Sequence, residues 1–166
     1  MPSLSKASLS MSKRLLKRSS GTLIQNRFLR CSSKERESRR ILGVHTVTAE
    51  EYVSGERYPD SISRGAHQID MHSGKGTGQV LIKLKQAAWV PYRALIAKGF
   101  PNLLVAGRCI SADRKALASL RVQASCMGLG QAAGVAAARS LRAGCAVQDI
   151  NTDALIETLR SMGALI

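Results

Sequence analysis

The clearest pattern of apolar and polar positions along the chain lies between residues 100 and 142. An apolar run ends at Gly107 and Arg108, and its length and composition predict a buried strand over residues 102–106. A long run of small and apolar residues follows, and it predicts a helix over about residues 126–142. Ligands of open α/β sheets bind outside the carboxyl ends of strands and against helix N-termini. This stretch is therefore typical of a ligand site.

The residues before this stretch predict short strands and one helix. β-branched residues over 41–47 indicate a strand, and Gly43 within it indicates a bulge or a close approach of another segment. Thr48 is followed three residues later by Glu51, which predicts a capping box at the start of a short helix. A short turn or helix is predicted over residues 61–65. Further strands are predicted over residues 68–72, 79–84 and 87–90.

An amphipathic helix is predicted at the end of the sequence. Asn151 or Thr152 would cap its N-terminus, and Gly163 would end it. Its apolar face would be formed by Leu155, Ile156, Leu159 and Met162. The predicted strands and helices together favour an α/β fold, with α+β as the alternative.

Charge is distributed unevenly along the 166 residues. The formal net charge is +14, which would favour an anionic partner. Residues 1–34, however, contain eight Lys or Arg and no acid, whereas the remaining 17 basic residues face 11 acidic ones. A basic nucleic-acid-binding module is therefore an alternative function. We rank this function low, because the sequence lacks interleaved aromatic residues and any known nucleic-acid-binding motif.

Residues 1–34 resemble a mitochondrial presequence in being basic, serine-rich and free of acid. We favour the simpler interpretation that they are a disordered tail or do not belong to the folded domain. No apolar run approaches the ~20 residues that span a bilayer, and no secretory signal is present, so a cytoplasmic location is predicted. The four widely spaced cysteines form no C-x-x-C pair, which predicts neither a disulfide framework nor a metal site.

Three glycines in the predicted long helix need a physical reason, because each costs ~1 kcal/mol relative to alanine. They are Gly128, Gly130 and Gly134, and we expect another backbone or a flat ligand to approach them closely. Gly128, Gly130 and Ala133 also fit G-x-G-x-x-A, but they do not directly follow a strand as a dinucleotide fingerprint requires. The glycine-rich segment 73–78 lacks the spacing of a phosphate-binding P-loop, and we expect it to connect two strands.

Three arginines are candidate anion-binding residues. Arg108 directly follows Gly107 at the end of the predicted strand, where a fixed guanidinium would meet a phosphate or a carboxylate. Arg93 and Arg121 are the other two candidates.

Several motifs occur here in the order in which they occur in one family. They lie at residues 36–43, 69–72, 90–95, 102–112, 116–122 and 126–134. Together they resemble the C-terminal portion of the FAD-dependent oxidoreductases of the glutathione-reductase-like class. The resemblance implies three regions: a basic segment outside the family (1–34), part of a β-rich substrate-side domain (35–99) and the C-terminal part of the FAD-binding domain (100–166).

The resemblance also implies the cofactor and its neighbours. In that class the last strand of the FAD-binding sheet ends at the Ala-Gly-Arg segment, and the helix after it points its N-terminus at the flavin. The implied flavin neighbours in this chain are Gly107, Arg108, Met127, Gly128 and Gln131. The helix dipole would favour negative charge on the reduced flavin. Arg93 would face the flavin pocket, and Arg121 remains a candidate for binding substrate or another anion.

Two departures from the class matter. Asp113, Arg114 and Lys115 stand where the class has Thr-His-Glu, so no histidine role carries over. The strand and G-x-G-x-x-G segment that bind the ADP half of FAD do not occur, and residues 1–34 do not resemble what precedes the first motif. We therefore expect a fragment that is inactive and binds FAD weakly alone. The alternative is a subunit that self-associates or completes its fold on a separate FAD-binding chain.

Overall fold

The computed structural model describes residues 39–72 and 79–166, which all lie in one unit, Ser33–Ile166. The predictions for residues 1–34 and for the loop at 73–78 lie outside the described residues. Four helices are present in the described part of the chain: α1 (Ala49–Ser54), α2 (Arg114–Leu120), α3 (Gln123–Ala143) and α4 (Thr152–Ser161). Short 3₁₀ turns occur at Tyr92–Ala94, Gly107–Cys109 and Val147–Asp149.

Four short strands form two antiparallel pairs in the same part of the chain. They are β1 (Ser61–Gly65), β2 (Ile69–His72), β3 (Gln79–Ile82) and β4 (Ala88–Pro91). β1 pairs with β4, with an irregularity between Ser61 and Ser63, and β2 pairs with β3. The mixed helix-and-sheet class predicted from the sequence is confirmed.

The prediction of a turn or helix at residues 61–65 was wrong, because this segment is strand β1. Its serines are polar, so the sequence has no alternation of apolar and polar residues to indicate a strand. Ser61 and Ser63 are nevertheless buried, since β4 pairs along one edge and α3 packs against the strand.

The strands predicted over 41–47 and 102–106 do not form ladders. The first makes single bridges from Gly43 to Ala97 and from Val47 to Ala112, and the second makes one from Leu104 to Ile96. The first run changes its partner between its two bridges, and the second makes a single bridge, so neither builds a continuous ladder. The close approach expected at Gly43 is confirmed, since a Cβ there would lie 2.6 Å from Ser111 Cβ.

Local signals at the helix ends were read correctly. Thr48 and Glu51 form the predicted capping box of α1, with Thr48 N donating to Glu51 Oε2 at 2.8 Å. Asn151 caps α4 by accepting a hydrogen bond from Ala154 N at 2.9 Å. Leu155, Ile156 and Leu159 are buried as predicted, but Met162 is exposed because it lies at the C-cap, beyond the last helical turn.

A single hydrophobic core joins these elements. Its largest buried side chains come from α1, the strands, the first two 3₁₀ turns with the residues that directly follow them, and the last three helices: Tyr52, Ile62, Ile69, Tyr92, Leu95, Ile110, Leu120, Leu129, Leu155 and Leu159. This core holds the 3₁₀ turn at Gly107–Cys109 against α2 and α3.

Candidate functional site

Gly107 begins the 3₁₀ turn that leads from the apolar run to α2. Its φ is +77°, in the left-handed region that side chains other than glycine rarely adopt. A Cβ at this position would meet only Cys126, whose Cβ and Sγ would both lie 3.9 Å away. The glycine is therefore required by the backbone conformation, and the turn it makes faces the first turn of α3.

The N-terminus of α3 carries no capping side chain. Val122 is the N-cap residue and makes no side-chain hydrogen bond, and the first turn contains no acid. The first N–H groups of a helix have no partner within the helix, and together they carry about half a positive charge. This end of α3 is accordingly suited to a negatively charged or electron-rich group.

Arg108 brings a guanidinium to the same region. Its side chain is exposed, and its Nε donates to the main-chain oxygen of Arg121 at 3.4 Å. Arg121 is the C-cap residue of α2 and directly precedes the N-cap of α3. Two of the predicted anion-binding residues are thus joined at the start of the long helix.

Cys126 also lies at this point, which the sequence did not indicate. Its Sγ donates to Leu120 O at 3.7 Å, and burial raises the pKa of its thiol, with Arg108 opposing and Cys109 adding to the effect. None of the described cysteines, Cys109, Cys126 and Cys145, forms a disulfide. From the sequence we expected Cys126 to act only as a small hydrophobic residue. Its position at the start of the predicted long helix, after the glycine–arginine segment, was the signal that could have placed it at this site.

The other predicted flavin neighbours lie on two sides of α3. Met127 and Gln131, one helical turn apart, are both exposed. Gly128 instead packs against β1, where a Cβ would lie 2.9 Å from Ser63 Oγ. A close approach therefore explains Gly128, whereas a Cβ at Gly130 or Gly134 would meet nothing within 4 Å.

Arg93 makes its contacts with a different set of residues. Its Nε pairs with Asp60 Oδ2 at 3.1 Å, and its Cζ lies 5.8 Å from the centroid of the Tyr58 ring. Its main-chain N also donates to Asp60 Oδ2 at 3.1 Å. Asp60 is buried, and its carboxylate therefore holds both the Arg93 guanidinium and the main chain just after β4.

Asp113, where the sequence departs from the class, connects two helices. Its Oδ1 accepts from Ala116 N at 2.6 Å as the N-cap of α2, and its Oδ2 accepts from Ala49 N at 2.7 Å at the start of α1. An aspartate directly before a helical run is a recognised cap signal, so the first of these contacts was readable from the sequence.

The described residues offer neither a cluster of metal ligands nor a helix that could span a membrane. Residues 39–72 and 79–166 contain no group of three or more His, Cys, Asp or Glu side chains placed to hold a metal ion. No helix in these ranges combines the length and hydrophobicity that crossing a membrane requires.

Comparison with known proteins identifies the family. A family model described as FAD dependent oxidoreductase matches residues 34–159, which is most of the chain. Comparisons with curated proteins and with solved structures gave no match. The predicted family is confirmed at this level: the chain belongs to the FAD dependent oxidoreductases.

Proposed function

We propose that this chain supplies the flavin-ring side of an FAD site, built from the Gly107 turn, Arg108 and the N-terminus of α3. The observation that carries the proposal is the meeting of an uncapped helix N-terminus with the Arg108 guanidinium, which Arg121 O holds beside it. Both features favour negative charge at one place.

The chemistry of these groups fits a flavin. The unpaired N–H groups of α3 and the Arg108 guanidinium are all donors, and a reduced flavin carries its negative charge on acceptor atoms of the ring. Gly107 has no side chain, and the space beside Gly130 and Gly134 is open, so a flat ring meets no steric obstacle along this face of α3. The residues present therefore suit the cofactor that the family implies.

Each residue has a separate part in this proposal. FAD, when bound, supplies the electron-transfer chemistry, and the protein supplies position and electrostatics. Arg108 and the start of α3 stabilise negative charge, while Met127 and Gln131 contact the ligand from the exposed face. Gly128 sets the distance between α3 and β1, because its missing side chain admits Ser63.

The proposal extends to the class and to the regions of the chain. The ordered motifs support the glutathione-reductase-like class, with residues 35–99 as part of the substrate-side domain and 100–166 as part of the FAD-binding domain. The G-x-G-x-x-G segment that binds the ADP half of FAD in that class does not occur in these 166 residues. On this proposal the chain alone is inactive and binds FAD weakly. A second polypeptide that carries the fingerprint would complete the site.

FAD titration of the purified chain tests the placement of the site. We compare Arg108→Gln with Arg142→Gln, an exposed arginine in the last turn of the same helix, and follow quenching of flavin fluorescence. Loss of a charged hydrogen-bond donor weakens binding by roughly 10-fold or more in Arg108→Gln, while Arg142→Gln binds like the parent. Equal affinities of the two variants would refute the placement. A yellow protein that retains stoichiometric FAD through purification would refute weak binding by the chain alone.

A further inference from the structure

A cavity of about 140 Å³ opens where β1 and β4 meet α4. Among the residues lining it are Arg57, Tyr58, Ser61, Trp89, Ile156 and Arg160. None of the residues proposed to contact the flavin lines it, so this is a separate site.

The charged side chains that line the cavity are both arginines. Arg57 and Arg160 line it, and no Asp or Glu side chain does. Within residues 39–72 and 79–166, no carboxylate forms an ion pair with either guanidinium. Two guanidinium groups at one opening are suited to a carboxylate, which each of them binds through paired N–H donors.

Stacking fixes the position of one of these cations. Arg57 Cζ lies 4.5 Å from the centroid of the Trp89 ring, and Arg64 Cζ lies 5.0 Å from the same centroid. Arg64 does not line the cavity, although it stacks on the same ring. Because a cation over an aromatic face is attracted to it, Arg57 is held at the cavity without a carboxylate partner.

Apart from the arginines, the lining combines the hydroxyl-bearing Tyr58 and Ser61 with an apolar wall that sets the size of the ligand. Ile156 is buried, and the half-buried Trp89 contributes part of the wall. A cavity of about 150 Å³ lined by apolar side chains is large enough for benzene. The volume here therefore accommodates one six-membered ring.

We propose that this cavity binds a small organic monocarboxylate that carries a single apolar ring. The ring packs against Ile156 and Trp89, and the carboxylate lies between Arg57 and Arg160. The charge and the ring are both needed, because neither two exposed guanidinium groups nor a small apolar wall alone selects a ligand.

Benzoate is the probe, and benzamide is its neutral analogue of the same shape. Binding is measured by calorimetry and by the emission of Trp89, which is the single tryptophan of the chain and reports from the cavity itself. We expect benzoate to bind and to change the Trp89 emission with the same saturation curve, while benzamide, acetate and inorganic phosphate bind roughly 10-fold or more weakly.

Three arginine variants locate the contact. Arg57→Gln and Arg160→Gln each weaken benzoate binding by roughly 10-fold or more, whereas Arg64→Gln, which loses only the second stacking contact on Trp89, binds like the parent. Arg160→Lys retains part of the affinity, because it keeps the charge and loses the paired donors. The proposal is overturned if benzoate fails to bind, if benzamide or phosphate binds as tightly, or if Arg64→Gln weakens binding as much as Arg160→Gln does.

Discussion

Replacing the three glycines of α3 by alanine, one at a time, separates helix propensity from packing. Alanine in a helix interior is more favourable than glycine by about 1 kcal/mol, because glycine loses more backbone entropy on folding. At Gly130 and Gly134 the added Cβ meets nothing within 4 Å. We therefore expect Gly130→Ala and Gly134→Ala each to raise the free energy of unfolding by roughly 0.5–1 kcal/mol.

Gly128→Ala differs because of one atom on β1. The added Cβ would lie 2.9 Å from Ser63 Oγ, closer than carbon and oxygen pack without strain, and Ser63 is buried. Overpacking of this kind costs about 1–3 kcal/mol, which offsets or exceeds the gain in propensity. Gly128→Ala is therefore expected to leave stability unchanged or to lower it by up to about 2 kcal/mol.

A second substitution tests that cause directly. Ser63→Ala removes Oγ, and the nearest atom of residue 63 is then its Cβ at 3.9 Å, an ordinary contact distance. In the Ser63→Ala background, Gly128→Ala should recover the stabilisation seen at Gly130, so the double-mutant cycle shows a coupling of about 1–3 kcal/mol. Gly130→Ala should have the same effect in both backgrounds.

Urea unfolding followed by circular dichroism measures these changes as shifts of the midpoint at an unchanged m value. Two results would refute the reasoning. If Gly128→Ala stabilises the parent as much as Gly130→Ala does, β1 does not approach α3 at Gly128. If the coupling with Ser63 is zero, Ser63 Oγ is not the atom responsible.

Two further predictions concern the buried tyrosines. Tyr92 OH donates to Val147 O at 2.7 Å in a buried position, so Tyr92→Phe should lower the free energy of unfolding by about 1–3 kcal/mol. Ser54→Ala, which removes an exposed hydrogen bond to Glu51 O, should change it by less than about 0.5 kcal/mol, and equal losses in urea unfolding would contradict this account. Burial raises the pKa of Tyr52 and of Tyr92 above the ordinary value near 10, with a Ser119 hydrogen bond opposing the rise at Tyr52. As the pH rises, the unfolded chain therefore loses these protons before the folded chain does. The contribution of the two tyrosines to the free energy of unfolding should be constant below about pH 10 and should fall above it, by roughly 1.4 kcal/mol per pH unit for each tyrosine. Unfolding free energies measured across this range should show the decline, with a shallower slope in Tyr92→Phe; a flat profile would contradict the prediction.

Signals carried by neighbouring residues were readable from the sequence. The capping box of Thr48 and Glu51, the Asn151 cap and the buried face of α4 all depend on residues within about one helical turn of each other. The family was readable for a similar reason, because its motifs are short runs in a fixed order. Gly107 and Arg108 were candidates because they directly follow a short apolar run, although the structure places them in a 3₁₀ turn and not at the end of a strand.

Contacts between distant residues were not readable. A run with strand composition becomes a strand only if one partner pairs with it over several residues. Residues 41–47 instead bridge to two different segments, and residues 102–106 make a single bridge. Ser61–Gly65 shows the converse, since its pairing with β4 makes a strand of a segment without apolar alternation. The cavity beside Trp89 likewise depends on β1, β4 and α4 meeting in space.

The amino-acid sequence by itself determined the family, the N-terminal caps of α1 and α4 and the buried face of α4. Only the tertiary structure decided which glycine of α3 packs against another segment, because Gly128, Gly130 and Gly134 have the same local helical environment and differ only in what faces them. It also decided that Arg108 joins Arg121 at the start of α3 while Arg93 pairs with Asp60. The physical reason is that a side chain's partners are set by packing across the chain, which local composition does not encode.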